Sequence, residues 1–132
     1  MSDNPVAALY RHYVSCLNRR EWENLATYVA DDVKHNGRPL GLSGYRAMLE
    51  KDCHDIPDLA FTVDMLVVEP PHLACRLAFD CTPSGRFLDI PVNGRRVQFY
   101  ENAFYRFDKN RIVEVWSIVD KAVIEKQLAD RP

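Results

Sequence analysis

The chain of 132 residues lacks the features that mark several large classes of protein. No apolar run approaches the roughly 20 residues that a membrane-spanning helix needs. Neither sign of charge dominates, since 17 Lys and Arg residues stand against 19 Asp and Glu residues, for a net charge of -2. We therefore expect neither nucleic acid nor a membrane as a partner.

Motifs for metals, phosphates and disulfides are missing as well. The four cysteines form no CxxC pair or other zinc spacing, and Cys75 and Cys81 lie too far apart on one predicted strand to bridge. No glycine-rich phosphate loop or nucleophile elbow is present. The polar, acidic start of the chain, Met1 to Pro5, is unlike a signal peptide, so we expect free thiols and a cytoplasmic location.

The sequence does contain enough apolar residues for a core. Hydrophobic residues make up 47% and charged residues 27%, as in one globular domain over residues 1–132. Apolar spacing predicts a helix that is capped by Asp3 or Asn4 and ends near Arg19. Further helices are predicted at 21–29, 43–54 and 121–128.

Strands dominate the second half of the chain. They are predicted at 60–68, 73–81, 96–107 and 111–119, with a short one at 33–36 and a loop of about ten residues, 83–94, before the third long strand. Helices followed by antiparallel strands indicate an α+β fold. A strongly curved sheet with helices on its concave side would leave a cone-shaped cavity between them.

The last predicted strand, 111–119, carries the most informative pattern. Its alternation divides it into two faces, Glu114, Trp116, Ile118 and Asp120 on one, and Val113, Val115, Ser117 and Val119 on the other. Burying an unpaired charge is costly. Either the carboxylates reach water near the strand ends, or Trp116 floors a pocket with an acid at its inner end, and the rest of the chain favours the pocket.

The turn before this strand decides which residues share the pocket. If Lys109-Asn110 is a two-residue turn, Asp108 pairs with Arg111 and Trp116 lies opposite Ala103. The residues on the Trp116 face are then Val97, Phe99, Glu101, Ala103 and Tyr105. A slip of one residue would present Gln98, Tyr100, Asn102 and Phe104 instead, and we favour the first register.

Several short motifs occur along the chain in a particular order. They are Tyr10-Arg-His-Tyr13 with Asn18 to Trp22, Ala30-Asp-Asp-Val33 followed by His35, Gly44-Tyr45-Arg46, Gly85-Arg-Phe-Leu-Asp-Ile-Pro91, Gly94-Arg-Arg-Val97 and Trp116-x-x-x-Asp120. In their order and spacing the chain resembles the SnoaL-like polyketide cyclases, or ester cyclases, of the superfamily that includes nuclear transport factor 2 and ketosteroid isomerase. The loop departs from many relatives at Asp89, where they have Gly.

The resemblance implies a nuclear transport factor 2-like fold, a cystatin-like α+β roll. In it, N-terminal helices pack over the concave face of a cone-shaped, curved antiparallel sheet. It also implies a homodimer through the outer sheet face and an enclosed pocket without metal or cofactor. Characterised cyclases of the family close a ring by intramolecular aldol condensation with an aspartate as acid/base, and Asp120 matches that aspartate.

We therefore interpret the chain as a cofactor-free cyclase or isomerase acting on a small hydrophobic molecule that carries a carbonyl group. Asp120 is the predicted base and His35 a second acid/base. A buried, protonated Glu101 would donate a hydrogen bond to the enolate, as a protonated Asp does in ketosteroid isomerase. The predicted substrate-binding residues are Trp116, Glu101, Asn36, Tyr45, Phe99 and Tyr105.

Each of these assignments has an alternative. Asp120 directly precedes the last helix and could cap it. Glu101 could form an ion pair with Arg76 or Arg106, and His35 could be a structural residue beside a turn. At the level of the whole protein, the cavity could bind a small ligand without turnover, or the outer sheet face could serve a protein partner.

Overall fold

The computed structural model describes residues 5–130 and has the predicted α+β architecture, with helices packed on a curved sheet that does not close. The helices are α1 (Pro5–Asn18), a 3₁₀ helix (Trp22–Thr27), α2 (Gly41–Asp55) and α3 (Lys121–Asp130). The strands are β1 (Val29–His35), β2 (Thr62–Glu69), β3 (His72–Cys81), β4 (Arg86–Phe87), β5 (Ile90–Pro91), β6 (Val97–Asp108) and β7 (Arg111–Val119). The predicted caps Asp3 and Asn4 lie outside the described residues.

The main sheet has five strands in the order β1-β7-β6-β3-β2. Strand β1 runs parallel to β7, and the other three pairs are antiparallel. Side chains alternate along β6, so that Phe99, Ala103 and Tyr105 are buried against the helices whereas Tyr100 and Phe104 face outward. The predicted inner face of β6 is therefore confirmed.

The inner face predicted for β7 is wrong, because the strand contains a β-bulge. The Lys109-Asn110 turn is confirmed, with Asp108 paired to Arg111. Just beyond it, Ile112 pairs with Phe107 and Glu114 pairs with Arg106. Val113 is an extra residue in β7, so all later residues of β7 are shifted by one position relative to β6.

The shift exchanges the two faces of β7. Trp116 lies opposite Phe104 on the outside of the sheet and is 37% exposed, whereas Val115 is only 2% exposed. Ser117, not Trp116, lies opposite Ala103 on the inside. Asp120 is exposed and its Oδ1 accepts a hydrogen bond from the Val123 N–H at 3.3 Å, so the capping interpretation is the correct one.

The predicted helix at 21–29 is also corrected. Only Trp22–Thr27 is helical, as a 3₁₀ helix, and β1 begins at Val29, earlier than the predicted start at Val33. Val29 is fully buried and pairs with Ile112 of β7. The apolar spacing at 22, 25 and 29 fits a helix, but Val29 is β-branched and is buried instead as the first residue of β1.

The predicted loop 83–94 contains a small hairpin made of β4 and β5. Its turn residues Leu88 and Asp89 both have left-handed backbone angles, φ 53° and 62°. Such angles suit a two-residue hairpin turn, although Asn-Gly is the usual sequence for it. The hairpin presses Phe87 against Phe99, with ring centroids 5.5 Å apart, and so places this segment over the sheet's inner face.

The core lies between the helices and the concave sheet face. Tyr10 and Tyr13 of α1 and Tyr45 of α2 are buried there against β3, β6 and β7. The four cysteines are free thiols, as expected. Within residues 5–130, no helix combines the length and the apolar character needed to cross a membrane.

Two isoleucines of β7 test the bulge directly. Ile112 is fully buried and Ile118 is 70% exposed, although both positions would share a face in a regular strand. We expect Ile112→Ala to lower the free energy of unfolding by about 2–5 kcal/mol. Ile118→Ala should change it by less than about 0.5 kcal/mol. Urea denaturation at low protein concentration measures both, and equal losses would contradict the bulge.

Candidate active site

A cavity of about 420 Å³ lies between the helices, the concave face of the sheet and the β4–β5 hairpin. A volume in this range suits a small organic molecule. Aromatic rings make up much of its wall. They are Tyr10, Tyr13, Tyr45, Phe61, Phe79, Phe87, Phe99 and Tyr105.

Six of the eight predicted site residues line this cavity. They are His35, Asn36, Tyr45, Phe99, Glu101 and Tyr105. Trp116 and Asp120 do not, because the bulge turns Trp116 outward and Asp120 borders a separate depression on the outside of the sheet. The proposed base of the sequence interpretation is thus outside the cavity.

Glu101 enters the cavity from the middle of β6. Burial, and to a smaller extent the nearby charge of Asp52, raise the pKa of its carboxyl to about 7, although a hydrogen bond with Ser117 acts in the opposite direction. The suggested ion pairs are not formed. Arg106 pairs with Glu114 at 3.5 Å and Arg76 with Asp64 at 3.9 Å.

Asp52 supplies a second carboxyl to the cavity, and the sequence interpretation missed it. Burial raises its pKa to about 6, with the Lys51 charge opposing and the Asp55 charge adding to the effect. Among the described residues, no side chain forms a hydrogen bond or salt bridge with this carboxyl. A signal for it exists, since Asp52 continues the stripe of α2 residues at Tyr45, Met48 and Leu49 that line the cavity.

Ser117 of β7 lines the cavity and contacts β1, the parallel neighbour of β7. Its Oγ lies 3.0 Å from His35 Nε2. Ser117 pairs with Ala103 and Glu101 pairs with Val119, so Ser117 and Glu101 are diagonal neighbours on the inner face.

Asn36 holds the backbone of Ser117 from the other side. Its side-chain Oδ1 accepts from the Ser117 N–H at 2.9 Å, and its Nδ2 donates to the Ser117 carbonyl at 3.2 Å. Asn36 does this from a left-handed backbone angle, φ 48°, which Asn tolerates better than most residues. Asn36 therefore positions Ser117, in addition to lining the cavity.

His35 is a neutral member of this network. Burial lowers its pKa, and the charge of Arg38 lowers it further. Its Nδ1 is buried and has no hydrogen-bond partner within the described part of the chain. We assign the Nε2–H tautomer, because it donates to Ser117 and leaves no buried N–H without an acceptor.

Four tyrosines form two hydroxyl pairs in the cavity wall. The Tyr13 and Tyr45 oxygens are 2.7 Å apart, and the Tyr10 hydroxyl donates to Tyr105 at 3.2 Å. Burial raises the pKa of all four phenols, so they stay protonated. Each pair uses one of its two protons internally, which leaves the other available to a ligand.

A metal site is not formed by residues 5–130, which bring no three His, Cys, Asp or Glu side chains into a suitable group. The cavity instead offers two carboxyls with raised pKa, neutral hydroxyls and apolar walls. Groups of this kind transfer protons to and from a bound organic molecule.

Comparisons with known proteins agree with the fold. The family model for SnoaL-like polyketide cyclase matches residues 7–128. A SnoaL-like polyketide cyclase from Agrobacterium tumefaciens strain C58 has a solved structure that is 52% identical, with a TM-score of 0.94 over 96% of this chain and 99% of that chain.

More distant structures share the fold alone. IdmH from Streptomyces antibioticus is 23% identical, with a TM-score of 0.81 over 96% of this chain and 99% of that one. TsrD from Streptomyces laurentii is 24% identical, with a TM-score of 0.82 over 97% of both chains. Among curated proteins, none matches the chain significantly.

The raised pKa of Glu101 predicts how stability depends on pH. Because the folded state holds this proton up to about pH 7 and the unfolded state only to about 4.5, the wild type loses stability as the pH rises through this window. We expect Glu101→Gln to become more stable than the wild type by up to about 3 kcal/mol above the window. Urea denaturation across pH measures this difference. Glu50→Gln, on the exposed side of α2, should show no such gain, and a gain for Glu101→Gln that is independent of pH would contradict the burial of the charge.

Proposed function

The chain belongs to the SnoaL-like polyketide cyclase family, and on that premise we propose that it moves a proton on an apolar carbonyl compound held in the cavity. The reaction is of the cyclase or isomerase type and needs no cofactor. Glu101 takes the acid/base role that the sequence had suggested for Asp120. The observation that carries this proposal is a partly buried Glu101 side chain that lines an aromatic cavity and has its carboxyl pKa raised to about 7.

The environment of Glu101 suits a base for carbon acids. A carboxylate removed from water is a stronger base than one in solution, and a pKa near the working pH lets it both take and return a proton. The hydrogen bond with Ser117 favours the charged form of the carboxyl. Asn36 and His35 hold Ser117 in place.

The enolate that forms would need hydrogen-bond donors. The Tyr13–Tyr45 pair supplies a neutral phenol whose second proton is not used within the pair. Such a donor is available before the reaction starts, so it stabilises the developing negative charge without reorganisation. Ring closure of the aldol type follows when the enolate carbon attacks a second carbonyl of the same molecule, and protonated Glu101 returns its proton to the new alkoxide.

Proton exchange tests the base assignment. The probe is 2-tetralone, and the loss of its α-hydrogens in heavy water is followed by NMR. We expect Glu101→Gln to slow the protein-catalysed exchange by roughly 100-fold or more. Asp120→Asn should leave the rate unchanged, because Asp120 lies outside the cavity.

The two variants separate the possible outcomes. If Asp120→Asn loses activity and Glu101→Gln keeps it, the assignment of the base is wrong. If the wild type binds the probe and never exchanges its protons, the cavity serves ligand binding without turnover.

We also propose that the protein is a homodimer through the outside of its sheet. Val67, Phe104 and Trp116 lie in one cross-strand row, with Ala74 between the first two. Phe104 and Val67 are each 57% exposed. A row of large apolar side chains across four strands is unusual on a monomer surface, and a two-fold axis would bury each ring against a second copy.

Charge placed in this row should break the dimer. We expect Phe104→Glu to shift the protein from dimer to monomer in sedimentation velocity, because the carboxylate would have to be buried at the interface. Ala47→Glu, on the exposed side of α2, is the matched control and should stay dimeric. A wild type that sediments as a monomer would refute the proposal and leave this face to another protein.

A further inference from the structure

The cavity contains acidic groups without matching cations. Asp52 and Glu101 line it, whereas its basic lining residues are the neutral His35 and the exposed Lys121 at the start of α3. Glu101 has the Ser117 hydroxyl as a partner. The carboxyl of Asp52 faces the cavity with no hydrogen bond or salt bridge to a described side chain.

The walls around these carboxyls also favour a cation. Eight aromatic rings line the cavity, and the faces of such rings attract positive charge. An ammonium group near Asp52 would be attracted by the carboxylate and would also contact the faces of the aromatic rings. A ligand carboxylate would instead meet two acidic side chains in a largely apolar cavity.

We propose that the natural ligand carries a basic amine in addition to its apolar body, and that Asp52 binds the ammonium group. The inference concerns the same site as the proposed function and narrows its substrate class to apolar, amine-bearing carbonyl compounds. It leaves Glu101 and the phenols free for the carbonyl end of the molecule. Carboxylic acids of the same size bind more weakly, because the two acidic side chains repel them.

The position of Asp52 supports binding of the ammonium group and the carbonyl group at different places in the cavity. It comes from α2, on the helical side of the cavity, whereas Glu101 comes from β6 in the sheet. A ligand that lies between the two layers can therefore present one polar end to each. The raised pKa of Asp52 fits this role, since the carboxyl is partly buried and the charge of Lys51 offsets only part of the cost of ionising it.

Three naphthalene probes of the same shape test the inference by calorimetry. They are 2-naphthylmethylamine, 2-naphthylmethanol and 2-naphthoic acid, measured at mildly alkaline pH. We expect the amine to bind at least about tenfold more tightly than the alcohol, which corresponds to about 1.4 kcal/mol, and the acid to bind more weakly than both. Asp52→Asn should bring the amine to the affinity of the alcohol, and Glu50→Gln, on the exposed side of the same helix, should not.

Binding of the alcohol shows whether Asp52→Asn retains the cavity. If that variant does not fold, the affinity of the wild type for N-acetylated 2-naphthylmethylamine is measured instead. Acetylation removes the charge from the ligand, so this compound should bind no more tightly than the alcohol. An amine that binds no more tightly than the alcohol overturns the inference, as does an advantage that survives in Asp52→Asn or after acetylation. None of these measurements needs turnover, so a failed proton-exchange assay would refute the proposed function and leave this inference intact.

Discussion

Val113 has no partner in β6, and the content of the cavity depends on this one unpaired residue. In a regular strand, Trp116 would fill the space between sheet and helices and Ser117 would face solvent. The bulge puts Ser117 inside, where it meets His35 and Glu101, and leaves room for a ligand in place of the indole ring. A bulge also increases local twist and bends the strand, which suits a sheet that curves around its contents.

The second constraint is electrostatic. Two carboxyls in a largely apolar cavity are each destabilising in the charged form, and the charge of Asp52 raises the cost of ionising Glu101. A salt-bridged cation would lower this cost, yet none of the described side chains forms a salt bridge with either carboxyl. Carboxyls with shifted pKa values concentrate at functional sites, and here they coincide with a cavity that is lined by eight aromatic rings.

Much of this architecture is readable in the sequence. The helix–strand order, the Lys109-Asn110 turn and the inner face of β6 all follow from local periodicity and turn chemistry. The same reasoning identifies six of the residues that line the cavity. The inner face of β7 could not be predicted in this way. Val113 is a β-branched residue in a strand rich in such residues, so its type does not distinguish a bulge from a regular strand position.

Other differences have their own causes. Asp52 was predictable, since it occupies an apolar-stripe position of α2. The β4–β5 hairpin was not, because its turn is Leu88-Asp89 and lacks the Asn-Gly sequence that marks such turns. Local sequence rules do not predict a turn whose residues are unusual for its geometry.

The parallel pairing of β1 with β7 brings together residues from opposite ends of the chain. His35 and Ser117 are 82 positions apart, and β1 has its only strand partner in β7 within the described sheet. During synthesis, α1, α2 and β1 leave the ribosome long before β7 exists. The edge of β1 therefore has no strand partner, and the cavity lacks the wall that Val115 to Val119 supply, until β7 has been synthesised.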